Sequence, residues 1–161
     1  MSKDKLNPTQ ISLPAKARSE VIELLNQALA DLTDLYSQTK QAHWNVRGRK
    51  FYQLHKLFDE AAESVEGYID TVAERVTQLG GYAEGTARMA AKNSRLPEWP
   101  VKPMEQDEFL AALTDRFAVA ANGIRKAIDD SAKAGDTGSS DLLTGLSRDL
   151  DKMLWFLEAS K

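Results

Sequence analysis

The sequence predicts an all-α domain: a four-helix bundle whose second and third long helices are joined by an extended crossover with a short helix of its own. Three observations predict it. Apolar residues recur every three or four positions through four long segments, the period of one helix face. The first and last connections are short and the middle one is long; short links favour antiparallel neighbours, and one long link marks a bundle with a single crossover. No segment alternates apolar and polar residues as a strand would, and no internal repeat is evident.

Each element follows in order. Residues 1–14 are polar, include Pro8 and Pro14, and carry Lys3 and Lys5; they are expected to form a flexible tail, with residues 15–161 forming the bundle. Pro14 suits the first turn of a helix. From Val21 the stripe runs through 21/22, 25, 28/29, 32, 35/36, 39 and 42, and stops at WNVRG, where Asn45 and Gly48 suit a helix exit. A second stripe runs Phe51, Leu54, Phe58, Ala61, Val65, Ile69, Val72, Val76, Leu79 and ends at Gly80-Gly81. Tyr82 to Asn93 is alanine-rich and suits the short helix, whereas SRLPEWPVKP is broken by Pro97, Pro100 and Pro103 and reads as loop. The third helix runs from about Glu105 to Ala132. AGDTGSS then reads as a turn, and Asp141 as the N-cap of a fourth helix with Leu142, Leu146, Leu150, Leu154 and Leu157 on its stripe.

Composition narrows the function classes. A chain of 161 residues is one domain that can bury a core without disulfides. The absence of cysteine excludes a disulfide scaffold and a thiolate metal site, and fits a reducing compartment. No secretory apolar segment and no membrane-length apolar run is evident, so the expectation is a cytoplasmic protein with no membrane partner. A net charge of -3 gives no global field favouring nucleic acid; DNA contact would need a local basic patch.

The second helix carries the candidate chemistry. With His55 at 0° and about 100° per residue, Asp59 falls near 40°, Asp70 near 60° and Glu74 near 100°, while the apolar stripe centres near -80°. Imidazole and carboxylate together suit iron, zinc or manganese. A solvated polar face with an incidental histidine would look similar. However, His55 and Glu74 are 19 positions apart, roughly 28 Å along a helix, and cannot share a metal within one chain. The positions 55 and 74 sum to 129, and so do 59 and 70. One antiparallel twofold register therefore sets Glu74 opposite the partner's His55, and Asp70 opposite the partner's Asp59, giving two equivalent sites per dimer. Glu63 and Glu66 also sum to 129, so carboxylates face one another near the axis and repel unless solvated or bound to a cation.

His43 lies on the inner stripe at the end of the first helix. Such a histidine is more often a core or capping residue; it becomes a ligand if the WNVRGRK link closes a hairpin beside the site. Trp44 reads as packing or as a redox-active neighbour. The Glu-x-x-His pair of a bundle-core di-iron centre is absent before both histidines, which argues against an ordinary internal di-iron site.

These residues resemble a known family. TKQAHWNVRG, the His-x11-His-x3-Asp-x10-Asp-x3-Glu spacing, DTVAERVTQLGG, DRFAVAANGIRKAI and SRDLDKMLWFLE are closely similar to the Dps family of mini-ferritins over Val21 to Glu158. The resemblance implies a ferritin-like four-helix subunit, twelve of which form a hollow shell. It implies iron as the metal, at a di-iron or mono-iron ferroxidase centre in the twofold interface. His43, His55 and Asp59 would come from one chain, and Asp70 and Glu74 from the other. Trp44 would lie beside the centre, with Lys40 as a supporting contact. The implied activity is oxidation of ferrous iron, usually with hydrogen peroxide in preference to oxygen, and storage of ferric mineral inside the shell. Asp130, Asp136 and Asp141 cluster at the last interhelical turn, where the family builds acidic threefold pores; turn formation and N-capping would select the same residues. Many members bind DNA through a lysine-rich tail. Here Lys3, Lys5, Lys16 and Arg18 stand against Asp4, so DNA binding, and with it association with the nucleoid, stays open. A DNA-compacting structural protein, or a bundle that merely assembles, are the rival readings.

Overall fold

Helix α1 (Ala15–Asn45) begins directly after Pro14, whose fixed φ suits a helix entry, and gives way to the extended Val46; in the link that follows, Gly48 takes a positive φ of 124° that a side chain would resist. In this computed structural model, which describes residues 6–102 and 104–161, α1 is followed by α2 (Phe51–Gln78), α3 (Ala87–Asn93), α4 (Gln106–Lys133) and α5 (Thr137–Ala159). α1 packs along α2 and α4 along α5; α1 also meets α4, α3 rests on α1, and α2 meets α5 only lightly. The short helix stands inside the long crossover, in the alanine-rich segment expected to form it, and takes up Ala87–Asn93 of it. Among the described residues there is no strand, and no helix is long and apolar enough to cross a membrane.

The stripes converge on one core. Val21, Leu25, Leu29, Leu32 and Leu35 of α1 meet Leu54, Phe58, Val65, Val72 and Val76 of α2, Leu110, Leu113, Phe117 and Ile124 of α4, and Leu143, Leu146, Leu150 and Leu157 of α5. Burying each large side chain contributes about 1.5–3 kcal/mol, so the stripe fixes which face of each helix turns inward and which stays free for chemistry.

Two arginine anchors fix the crossover. Asp31 of α1, 2% exposed, accepts from the Arg95 backbone N at 2.8 Å and from its guanidinium at 2.9 and 2.5 Å. Arg116 of α4 reaches Gln38 Oε1 at 2.7 Å and the Glu98 carbonyl at 2.7 Å, and lies 5.3 Å over the Trp99 ring. α4 starts with a capping box in which Glu105 and Glu108 each accept from the other's backbone N–H.

The structure moves two boundaries. α5 begins at Thr137, so the turn is Ala134-Gly135, with Gly135 at φ 90°, and all of TGSS is helical. Asp136, not Asp141, is the N-cap: its side chain accepts from Ser139 N at 3.0 Å, and Asp141 lies inside the helix. The buried stripe of α5 accordingly runs through Leu143 and Met153, with Leu142 and Leu154 only partly buried. Residues 6–14 are non-helical but lie against the bundle: Asn7 N donates to Gly80 O at 2.8 Å, and Leu6 and Leu13 pack on the core. Gly80 has φ 87°, and a Cβ there would stand 2.5 Å from Asn7 O, so a glycine is needed where this segment crosses the end of α2.

Candidate metal centre

The α1–α2 hairpin brings His43 and His55 face to face, with ring centroids 3.8 Å apart and an interplanar angle of 22°. The contact is reciprocal: His43 Nδ1 lies 2.8 Å from His55 O, and His55 Nδ1 lies 2.9 Å from His43 O. A backbone carbonyl can only accept, so each Nδ1 carries the hydrogen and donates. In the neutral ring this leaves both Nε2 atoms with a free lone pair, the arrangement in which a histidine is presented to a metal with its other nitrogen tied to a carbonyl.

Asp59, one turn beyond His55, completes this group. Its Oδ1 lies 3.8 Å from His43 Nε2. That is too far for a hydrogen bond. It fits a shared cation: metal bonds of about 2.0–2.2 Å to nitrogen and oxygen span about 3 Å at a right angle and just over 4 Å when opposed. The same oxygen accepts from Lys40 Nζ at 2.7 Å. The Lys40 hydrogen bond holds the Asp59 carboxyl below the usual carboxylate range, and Lys40 is raised chiefly by that bond. The donor set of hard carboxylate and borderline imidazole fits iron.

One chain stops there. Among the described residues no three His, Asp or Glu side chains of this chain are arranged to hold a metal ion. Asp70 and Glu74 are both exposed, farther along the same face of α2, and neither side chain has a hydrogen-bond or ionic partner among the described residues. Trp44 stands beside His43 and is 67% exposed. Sequence reasoning did not single out Phe51, whose ring is 5.1 Å from that of His55, or the exposed Tyr52. Their i, i+4 and i, i+3 spacing from His55 was the available signal. Phe51 thus sets an aromatic ring beside the histidine pair, and Tyr52 adds a second exposed ring in the same first turn of α2.

The three aspartates of the last interhelical turn differ. Asp136 is buried and engaged by Ser139 and by Arg75 at 3.0 and 3.2 Å, so it presents no free carboxylate to a pore. Asp130 pairs with Lys126 and, at 3.3 Å, with Lys133, which hold its carboxyl below the usual range, the Lys126 hydrogen bond most strongly. Asp141 is exposed and has no side-chain partner among the described residues. Of the residues considered for DNA, Lys3 and Lys5 lie outside the described residues. Lys16 is exposed, 3.8 Å from Glu20. Arg18 is partly buried, and its Nη1 donates to Leu79 O at 2.9 Å, closing the end of α2.

Comparison with known proteins agrees with this architecture. A model of the ferritin-like domain matches residues 22–160. A protein of Agrobacterium fabrum (strain C58) called DNA protection during starvation protein is 46% identical over 155 residues, covering 96% of each chain. DpsC from Streptomyces coelicolor superposes with a TM-score of 0.93 at 32% identity, covering 98% of this chain and 92% of that one. A Dps protein from Vibrio cholerae O1, described as a member of a broad superfamily of ferritin-like diiron-carboxylate proteins, gives 0.88 at 25% identity, over 96% and 97% of the two chains. The chain belongs to the ferritin-like family, in its Dps branch.

Proposed function

We propose that the protein is a ferroxidase and iron-storage shell of the cytoplasm, twelve chains enclosing a ferric mineral, which consumes hydrogen peroxide and so protects DNA. The observation that carries this reading is the reciprocal histidine pair, which turns two bare Nε2 atoms toward the open face beside Asp59. Asp70 and Glu74 supply the other half of the centre from the partner chain, through the register in which paired positions sum to 129.

Ferrous iron is the substrate. Two ferrous ions give up one electron each; the O–O bond of one peroxide breaks, two protons are taken up and two waters leave, so no hydroxyl radical is released. Carboxylates favour the ferric product. Lys40 keeps the Asp59 carboxylate ionised and compensated until iron arrives. Stopped-flow absorbance tests the oxidant. Anaerobic ferrous iron with peroxide is expected to be oxidised much faster than ferrous iron in air, and equal or reversed rates would remove the peroxide-consuming role. Asp141 remains the exposed carboxylate at the last turn that could draw cations toward an entry pore.

DNA contact is a second reading, supported by exposed Lys16 just beyond a segment that carries Lys3 and Lys5. On a shell of many copies even few cations per chain add up. Deleting residues 1–12 is expected to abolish retardation of DNA at low ionic strength, as is added salt. Retardation that survives the deletion would place the DNA surface elsewhere.

A further inference from the structure

α2 carries candidate ligands toward both ends, and the two ends are held differently. His55 and Asp59 are fixed to α1 by the histidine pair and by Lys40. No side chain among the described residues orients Asp70 or Glu74. What fixes that end lies across the helix. Arg75 projects about 100° around the helix from Glu74. Its guanidinium is spent on α5 and its own last turn: Nε donates to Ser139 Oγ at 2.9 Å, Nη2 to both Asp136 oxygens at 3.0 and 3.2 Å, and Nη1 to Gln78 Oε1 at 3.3 Å.

The segment that sequence reasoning took for a plain turn is shaped around this guanidinium. Asp136, 2% exposed, also accepts from Ser139 N at 3.0 Å and Ser139 Oγ at 2.6 Å. A Cβ at Gly138 would stand 3.2 Å from Arg75 Nη2, so glycine leaves the space that the arginine occupies. Capping α5 needs only the bond from Ser139 N to Asp136. The arginine adds something else, a rigid tie between two helices that otherwise meet lightly.

We propose that the Arg75–Asp136–Ser139 tie is a positioning device for the shared centre, setting the height and roll of the α2 turn that presents Asp70 and Glu74 to the partner chain. The inference rests on the ferroxidase reading above. Metal bonds tolerate errors of only about 0.2 Å, and functional side chains must be held within about 0.5 Å. Without the tie, this end of α2 is held by apolar packing, by Arg18 on Leu79 O, by Asn7 N on Gly80 O and, beside Asp70, by the Tyr68 hydroxyl on Asp149 of α5 at 2.5 Å; none of these grips the turn of Glu74 from α5. Groups that orient metal ligands typically change affinity by about 10–100-fold when lost.

Cobalt(II) alone, which needs no oxidant, reads the site through its visible absorption. The comparison uses intact shells of wild type, Arg75→Met, Asp136→Asn and Arg95→Met. The last breaks an ion pair whose carboxylate is equally buried, at Asp31, about three turns of α1 from His43. Arg75→Met and Asp136→Asn are expected to weaken cobalt binding by about tenfold or more, while Arg95→Met changes it by less than about twofold at a comparable loss of thermal stability. Asp136→Asn keeps an oxygen for Ser139 N, so it serves if Arg75→Met does not assemble. Cobalt affinity that falls no further in these two than in Arg95→Met overturns the positioning role and leaves the centre standing. No cobalt binding by wild type overturns the centre itself.

Discussion

Two inactive variants are expected to restore each other's activity when they share a shell. One lacks His55 and Asp59, both changed to alanine; the other lacks Asp70 and Glu74. Neither homo-oligomer has a complete centre, so fast ferrous oxidation should be lost in both. Refolded together at equal ratio, about half of the dimers are mixed, and each mixed dimer has one complete site and one lacking both halves. Fast oxidation should return to about a quarter of wild type by this isologous count. The geometry demands this outcome of the reading: within one chain His55 and Glu74 stand roughly 28 Å apart on one continuous helix, α2. Mixed shells verified by mass spectrometry that stay inactive would sink the 129 register and the assignment of the centre with it.

The second large effect concerns stability and has an expected asymmetry. In the Asp31–Arg95 pair the carboxylate is buried and the arginine side chain is 44% exposed. Arg95→Met strands the buried charge, and breaking a buried pair in this way costs about 3–5 kcal/mol. At about 2–4 °C per kcal/mol for a chain of this size, the melting temperature should fall by roughly 10 °C. Asp31→Asn keeps an oxygen for the Arg95 backbone N–H, and the released guanidinium can turn to water, so the drop should be clearly smaller. Calorimetry of both variants decides it; an equal or larger drop for Asp31→Asn would mean that the desolvation argument misjudges which partner needs the other.

Much of this architecture was legible because it is written locally. Pro14, Gly48 and Gly80 mark helix ends by their own backbone preferences, and the apolar period assigns inward faces without knowledge of partners. The arc of His55, Asp59, Asp70 and Glu74 is legible for the same reason, since a straight helix converts spacing into direction. What stayed hidden depends on distant pairs. Asp136 looked like a pore residue or a turn former until Arg75, 61 positions away, was seen beside it. Arg18 looked like a free cation, yet it is occupied by a carbonyl 61 positions on. Thr137 to Ser140 has turn chemistry by composition and helix by context, because an aspartate at its start satisfies the first free N–H groups. His43 was ambiguous because only closure of the hairpin could bring its ring onto His55.

That closure has a consequence in time. The histidine pair joins residues only 12 positions apart, across a link from Val46 to Lys50. Loops of about ten residues close in roughly 10–100 ns, far faster than chains meet at cellular concentrations. The two imidazoles therefore meet as soon as the first two helices associate, with no slow loop closure to wait for. On the shared-centre reading, each chain then brings its histidine half already formed to the encounter with its partner. The ordering costs of that half are met within each chain beforehand, so little of its conformational entropy remains to be lost when the chains join.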